Sequence, residues 1–261
     1  AKSDHPPADR LYDVSPEEAR DRFPALGDVP SAIYYENAGR VDGTAVQNAL
    51  LRAGATHGLE TVHDSVERIT ETRGAVTGIV TESGSYETSA VVIAGGAWSS
   101  AFGEQLNARV PVEPQRGQLI HLDLHDTNTS IWPILTTYGG YYFVPWPDNR
   151  VAVGATRETG SGFAPRTTAA GVREVLQEAL RVAPGLAEAA IDGIDVGLRP
   201  LSADGLPVIG PVPSVDGAYL ATGHGPTGLQ LGPYTGKIVA DMLLGKNVDT
   251  DASAFSPARF V

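Results

Sequence analysis

The stretch that most restricts the fold lies near the end of the chain: "AYLATGHGPTGLQLGPYTGKIVADMLLG", residues 218–245. A short apolar run, a glycine turn and a helically spaced segment read as a strand over 218–222, a tight turn and a helix over about 229–244. The turn, "GHGPTG" over 223–228, spells G-x-G-x-x-G. That pattern holds a dinucleotide pyrophosphate when it joins the first strand and helix of a βαβ unit whose second strand ends on an acidic residue. Here the sequence beyond Gly245, "KNVDTDASAFSPARFV", is polar and Pro-containing and offers no second buried strand. Asp241 has suitable spacing but falls on the helix. The pyrophosphate reading therefore fails. What survives is a set of backbone N–H groups at a helix N-terminus, suited to a partner carrying negative charge.

The rest of the chain supplies the layers around this unit. "SPEEARDRF" starts a short helix, with Ser15 as cap and Pro16 at its first position. "GTAVQNALLRAGATHG" predicts a second helix over 43–58, ending on glycine. "LETVH", "VERITET" and "AVTGIVTES" read as short strands, and "AVVIA" over 90–94 as a strand buried on both faces and ended by Gly95 and Gly96. From 111 to 212 the pattern changes. "GQLIHLDL", "SIWPILTT", "GYYFVPW" and "RVAVGAT" alternate apolar and polar residues between turn signals, as in an antiparallel sheet, with one helix over 168–182. The expected fold class is α+β: a buried, parallel-type layer from residues 1–110 and 213–261, interleaved with an antiparallel domain over 111–212.

Composition narrows the chemistry. With 261 residues, 42% apolar and 19% charged, the chain can bury a sizeable core. A net charge of −12 argues against nucleic acid as a partner. No apolar run approaches the length of a membrane span. The absence of cysteine removes disulfides, thiolate metal sites and a cysteinyl cofactor link, and accords with a reducing, cytoplasmic setting. The six histidines (5, 57, 63, 121, 125 and 224) are scattered, so no metal site is expected, and no G-x-S-x-G supports a serine nucleophile. The opening "AKSDHPPADR" lacks Met and reads as a cut start.

Two residue types stand out in the alternating region. Arg199, in "DVGLRPLSADGLPVIGP", follows an apolar strand and precedes proline, which predicts a half-buried guanidinium facing a carboxylate of the protein or of a ligand. Arg116, in "PQRGQ", is its competitor. Tyr141 and Tyr142 are neighbours on one strand and face opposite sides, so one hydroxyl is available to a ligand.

Five segments in order, "SAVVIAGGAWSS", "PVEPQRGQL", "YYFVPWPDNRVAVGATRE", "GLRPLSADGLPVIGP" and "ATGHGPTGLQLGPYTGKIVADMLLG", resemble the flavin-dependent D-amino-acid oxidase superfamily. Glycine oxidase and D-amino-acid dehydrogenase are the nearest branches. The resemblance implies a Rossmann-like FAD domain interleaved with an antiparallel substrate domain. It also implies an oxidoreductase that breaks the C–N bond of an amino acid or related amine by hydride transfer to flavin. The family's N-terminal dinucleotide-binding βαβ is not in this sequence. The expectation is thus a truncated chain that holds FAD non-covalently and weakly or not at all, or, alternatively, an inactive substrate-domain scaffold.

By resemblance, Arg199 pairs with the substrate carboxylate and Tyr142 lines the substrate pocket, while the backbone of Val66 touches adenine. Gly95, Gly96, Ala97 and Trp98 pass the cofactor. His224, Gly225, Pro226, Thr227, Gly228, Leu229 and Gln230 meet the isoalloxazine ring, where helix-end N–H groups stabilise negative charge on the reduced flavin. Hydride chemistry needs no catalytic side chain. The partner is a small amino acid or amine, and an uncovered "AVVIA" edge invites self-association.

Overall fold

The computed structural model describes residues 11–261, so the opening "AKSDHPPADR" and His5 lie outside the described residues. The chain begins β1 (Leu11–Val14), α1 (Pro16–Arg22), β2 (Ala32–Tyr35) and α2 (Gly43–Thr56). Four strands follow: β3 (Val66–Thr72), β4 (Ala75–Thr81), β5 (Ser85–Glu87) and β6 (Val91–Ile93). The middle carries β7 (Val112–Asp123), β8 (Leu135–Thr136), β9 (Tyr142–Pro145), β10 (Arg150–Gly154) and β11 (Glu158–Thr159). Last come α3 (Ala169–Val182), β12 (Ala190–Ser202), β13 (Val208–Pro211), β14 (Ala218–Thr222) and α4 (Gly228–Leu243).

Local chemistry accounts for the helix ends. Ser15 accepts from the Glu18 N–H and Pro16 opens α1, as the sequence predicts. Thr168 caps α3 by accepting from the Gly171 N–H. The Thr168 hydroxyl also accepts from the buried Gln118 amide at 2.9 Å, and Gln118 Oε1 accepts from the Thr168 N–H at 2.9 Å. The expected strand at "LETVH" does not form. Gly58 (φ +88°) reverses the chain, and the N–H groups of Gly58 and Leu59 bond back to Ala55 and Gly54. Leu59, the first residue of that segment, is taken up in closing α2, a Schellman ending.

The chain divides into two compact units, and β7 and β12 each run from one into the other. The first comprises residues up to Asp42, Gly117–Arg157 and Pro165–Gly197. Its sheet orders β7-β10-β9-β8, all antiparallel. Ile120, Leu122, Val151, Val153 and Phe143 are buried in one core with Val175 and Ala179 of α3. Phe23 fills the centre, its ring 4.8 Å from Trp132 and 6.0 Å from Phe143. Strand alternation puts Leu119, His121, Gly154 and Tyr142 on the opposite face.

The second unit comprises Gly43–Arg116, Glu158–Ala164 and Leu198–Val261. Its central strand β14 runs antiparallel to β13 and parallel to β6. A separate meander, β3-β4-β5, shares the core around Val208, Leu220 and Ile93. Ile238 and Val239 of α4 pack with Ile209 of β13. The expectation that "AVVIA" is buried on both faces is corrected: Ile93 is buried but Val92 is 38% exposed. β6 ends the three-stranded sheet β13-β14-β6, so one of its edges and one of its faces stay open among the described residues. The mixed α/β class expected from the sequence holds.

Candidate functional site

Because β6 and β14 are parallel and in register (Leu220 opposite Ile93), their carboxyl ends coincide. Both strands run directly into glycine turns there, Gly95–Gly96 and Gly223–Gly225. In open parallel sheets, ligands bind outside this end. Thr222 ties the two turns together: its hydroxyl donates to the Gly96 carbonyl at 2.9 Å and accepts from Ser99 Oγ at 2.9 Å. Both side chains are buried, so neither bond competes with water.

The glycines of the G-x-G-x-x-G run have different jobs. A Cβ on Gly223 (φ +76°) would meet Val208 Cγ2 at 3.0 Å and Ser202 Cβ at 3.2 Å, so this glycine serves packing. A Cβ on Gly225 (φ +52°) would meet nothing within 4 Å, and the same holds for Gly96 (φ +54°). These two positions expose backbone to open space. Gly228 is an ordinary helical residue at the start of α4, where a Cβ would touch only His224 Cβ at 3.6 Å. Thr227 closes the turn, its N–H and its hydroxyl both donating to the His224 carbonyl. Pro226, Leu229 and Gln230 are exposed at the mouth of the helix.

His224 is buried, and its Nε2 lies 2.9 Å from the Thr235 hydroxyl on α4. Burial pushes its imidazole below the usual 6.5, so it stays neutral at pH 7. The unfolded chain then binds the proton more tightly, so this contribution to stability is complete above pH 6.5 and is lost as pH falls below it. The expected result is a melting temperature that drops between about pH 7 and pH 5 and a smaller drop in His224→Gln, read by calorimetry. Identical pH profiles would remove His224 from the account.

An apolar cavity of about 440 Å³ lies between this sheet and α4, lined among others by Val92, Gly96, Pro200, His224, Gly232 and Val239. The Leu201 backbone bridges to His224, which brings the end of β12, and with it the half-buried Arg199, alongside the same turn. Arg116 is committed elsewhere: its guanidinium donates to Glu158 Oε2 from Nε at 3.0 Å and from Nη2 at 2.5 Å. Ala97 is buried, whereas Trp98 is 53% exposed. Val66 opens β3, on a different sheet from both glycine turns. Two glycines at positive φ with open space around them, Gly96 and Gly225, thus follow the ends of β6 and β14, and the 16-residue α4 starts three residues after Gly225.

In the other unit, the two tyrosines diverge as the sequence predicts. The Tyr141 hydroxyl donates to Glu174 on α3 at 2.5 Å, and burial with that partner raises its pKa. Tyr142 points the other way, its hydroxyl resting over Gly154, where a Cβ would come within 3.2 Å of it. His121 meets Asp195 at 2.9 Å, and His125 sits on a turn at positive φ beside Asp123, so the pair does not converge. Among the described residues no group of three His, Cys, Asp or Glu could hold a metal ion, and no helix is long and apolar enough to cross a membrane. Sequence reasoning missed Ser99 and Thr222, because a small hydroxyl residue carries no periodic signal.

Residues 1–242 match the family described as DAO, FAD dependent oxidoreductase. The chain is 35% identical over 258 residues to the uncharacterized oxidoreductase YurR of Bacillus subtilis, covering 98% of this chain and 69% of YurR. It is 31% identical over 255 residues to a glycine oxidase of Pseudomonas aeruginosa, covering 95% of this chain and 68% of that protein. The crystal structure of iminodiacetate oxidase from Chelativorans sp. BNC1 superposes with a TM-score of 0.92 at 36% identity, over 98% of this chain and 69% of that one.

Proposed function

From the premise that this chain belongs to the DAO family of FAD-dependent oxidoreductases, we propose that it oxidises the C–N bond of an amino acid or related amine. One observation carries the reading: two open, positive-φ glycines, tied by Thr222, at the adjoining ends of parallel strands and before a helix N-terminus. FAD, when bound, supplies the two-electron acceptor. The chain's own residues bind and orient. The open backbone at Gly96 and Gly225 allows close approach of a planar ring, and the dipole of α4 favours negative charge there. The family resemblance assigns the substrate carboxylate to Arg199 and a pocket-lining role to Tyr142. The relatives' names, glycine oxidase and iminodiacetate oxidase, support a small amine bearing a carboxylate.

A second reading is that polypeptide 1–261 does not itself retain FAD. It is supported by coverage of only 68–69% of those relatives and by the open β6 edge, which also favours self-association. Purified polypeptide 1–261 incubated with FAD and gel-filtered separates the two. Retained flavin bleached anaerobically by glycine or iminodiacetate supports the oxidoreductase. Absence of retained flavin, with concentration-dependent light scattering, supports the second reading. Retained flavin that no amine or amino acid reduces would end the C–N assignment.

A further inference from the structure

Arg116 lies at the end of β7 that enters the second unit, with a side chain only 9% exposed. Besides its bonds to Glu158, its Nη1 donates to the Ala164 carbonyl at 3.3 Å, and its backbone N–H donates to Ser161 Oγ at 3.2 Å. The neighbouring Gln115 amide donates to the Thr159 hydroxyl at 3.0 Å. The Arg116 side chain therefore holds the first and the last residue of the strap 158–164, while its backbone pairs with β11 at the strap's start and reaches Ser161; between the two side-chain holds lie two glycines, Gly160 and Gly162, at positive φ. The strap carries Phe163, whose ring centroid lies 5.5 Å from that of Trp98 at an interplanar angle of 37°.

Core packing does not explain this aromatic pair. Phe163 is 47% exposed, and Trp98 stands two residues past the open glycine Gly96. A glycine-bearing strap left to itself samples many conformations, and ordering it costs entropy. A buried guanidinium offers several donors in one rigid plane and can hold a carboxylate and a carbonyl at once, which an ammonium cannot. We propose that Arg116 is a positioning residue: it latches the strap 158–164 so that Phe163 is held against Trp98, completing an aromatic wall on the flank of the Gly95–Gly96 turn. The wall's ligand is the planar ring system assigned to that turn, so this part rests on the flavin reading. The latch itself does not.

The test measures the accessibility of Trp98 to acrylamide in the full chain, isolated from Trp132 and Trp146 by subtracting the Trp98→Phe variant. FAD binding is followed in parallel through flavin fluorescence. Arg116→Ala and Glu158→Gln raise the quenching of Trp98, and Arg116→Lys recovers part of the loss. Phe163→Ala, a surface change that leaves the Arg116–Glu158 pair in place, raises quenching too. It also weakens FAD binding about 2- to 10-fold, the factor that corresponds to one aromatic pair. Wild-type quenching in both Glu158→Gln and Phe163→Ala overturns the proposal. Altered quenching in a chain that binds no FAD even as wild type upholds the latch and supports the reading in which polypeptide 1–261 does not itself retain FAD.

Discussion

Replacing Arg199 by alanine is expected to lower the second-order rate constant for anaerobic flavin reduction by an amino acid by about 30-fold to a few thousandfold. That range follows from about 2–5 kcal/mol for leaving a desolvated carboxylate unpaired, at 1.4 kcal/mol per decade. The guanidinium of Arg116, the competing arginine, donates to Glu158 and to the Ala164 carbonyl. Arg199 precedes Leu201 by two residues on β12, about 6.6 Å along the strand from the bridge to His224. Arg199→Lys should restore only part of the rate, because a single ammonium lacks the planar fork. An amine without a carboxylate serves as control: a poor substrate for the wild type and nearly indifferent to the substitution. Equal rates with the amino acid in wild type and Arg199→Ala would show that the substrate is not held by its carboxylate.

Legibility in the sequence followed the range of the interactions involved. Helices with local caps, such as α1 behind Ser15 and α3 behind Thr168, could be read directly, since their start signals lie within one turn. The alternation in "YYFVP" and "RVAVG" gave both strands and the opposite orientation of Tyr141 and Tyr142. "LETVH" was misread because its fate is decided by Gly58, which bends the chain back to cap α2. "AVVIA" was misread because an apolar run reports what a strand can bury and is silent on whether a neighbour covers it. The pairs that assemble the site are the least legible. Ser99 meets Thr222 across 123 residues of sequence, and Arg116 meets Glu158 across 42, and nothing local marks either partner.

The three glycines of "GHGPTG" look alike in sequence, where a bulkier residue at 225 or at 228 predicts the same loss of cofactor. The structure predicts three different outcomes. Gly223→Ala should lower the melting temperature by about 4–20 °C. A non-glycine residue in the left-handed region costs about 1–2 kcal/mol, and crowding of Val208 and Ser202 adds about 1–3, at about 2–4 °C per kcal/mol in a chain of this size. Gly225→Val adds no crowding, since its Cβ points into open space. Its stability loss is limited to backbone strain of about 1–3 kcal/mol. Its main effect falls on FAD, which loses close approach to the turn, about tenfold in affinity for each backbone hydrogen bond of about 1.4 kcal/mol forgone. Gly228→Ala, at an ordinary helical position with one comfortable contact, should leave FAD binding intact and the melting temperature unchanged or slightly raised. Calorimetry and FAD titration on the same three variants separate a packing glycine, a recognition glycine and a helical one. If Gly225→Val binds FAD as the wild type does while Gly223→Ala melts normally, the open backbone at 225 has no ligand and the run is turn chemistry alone.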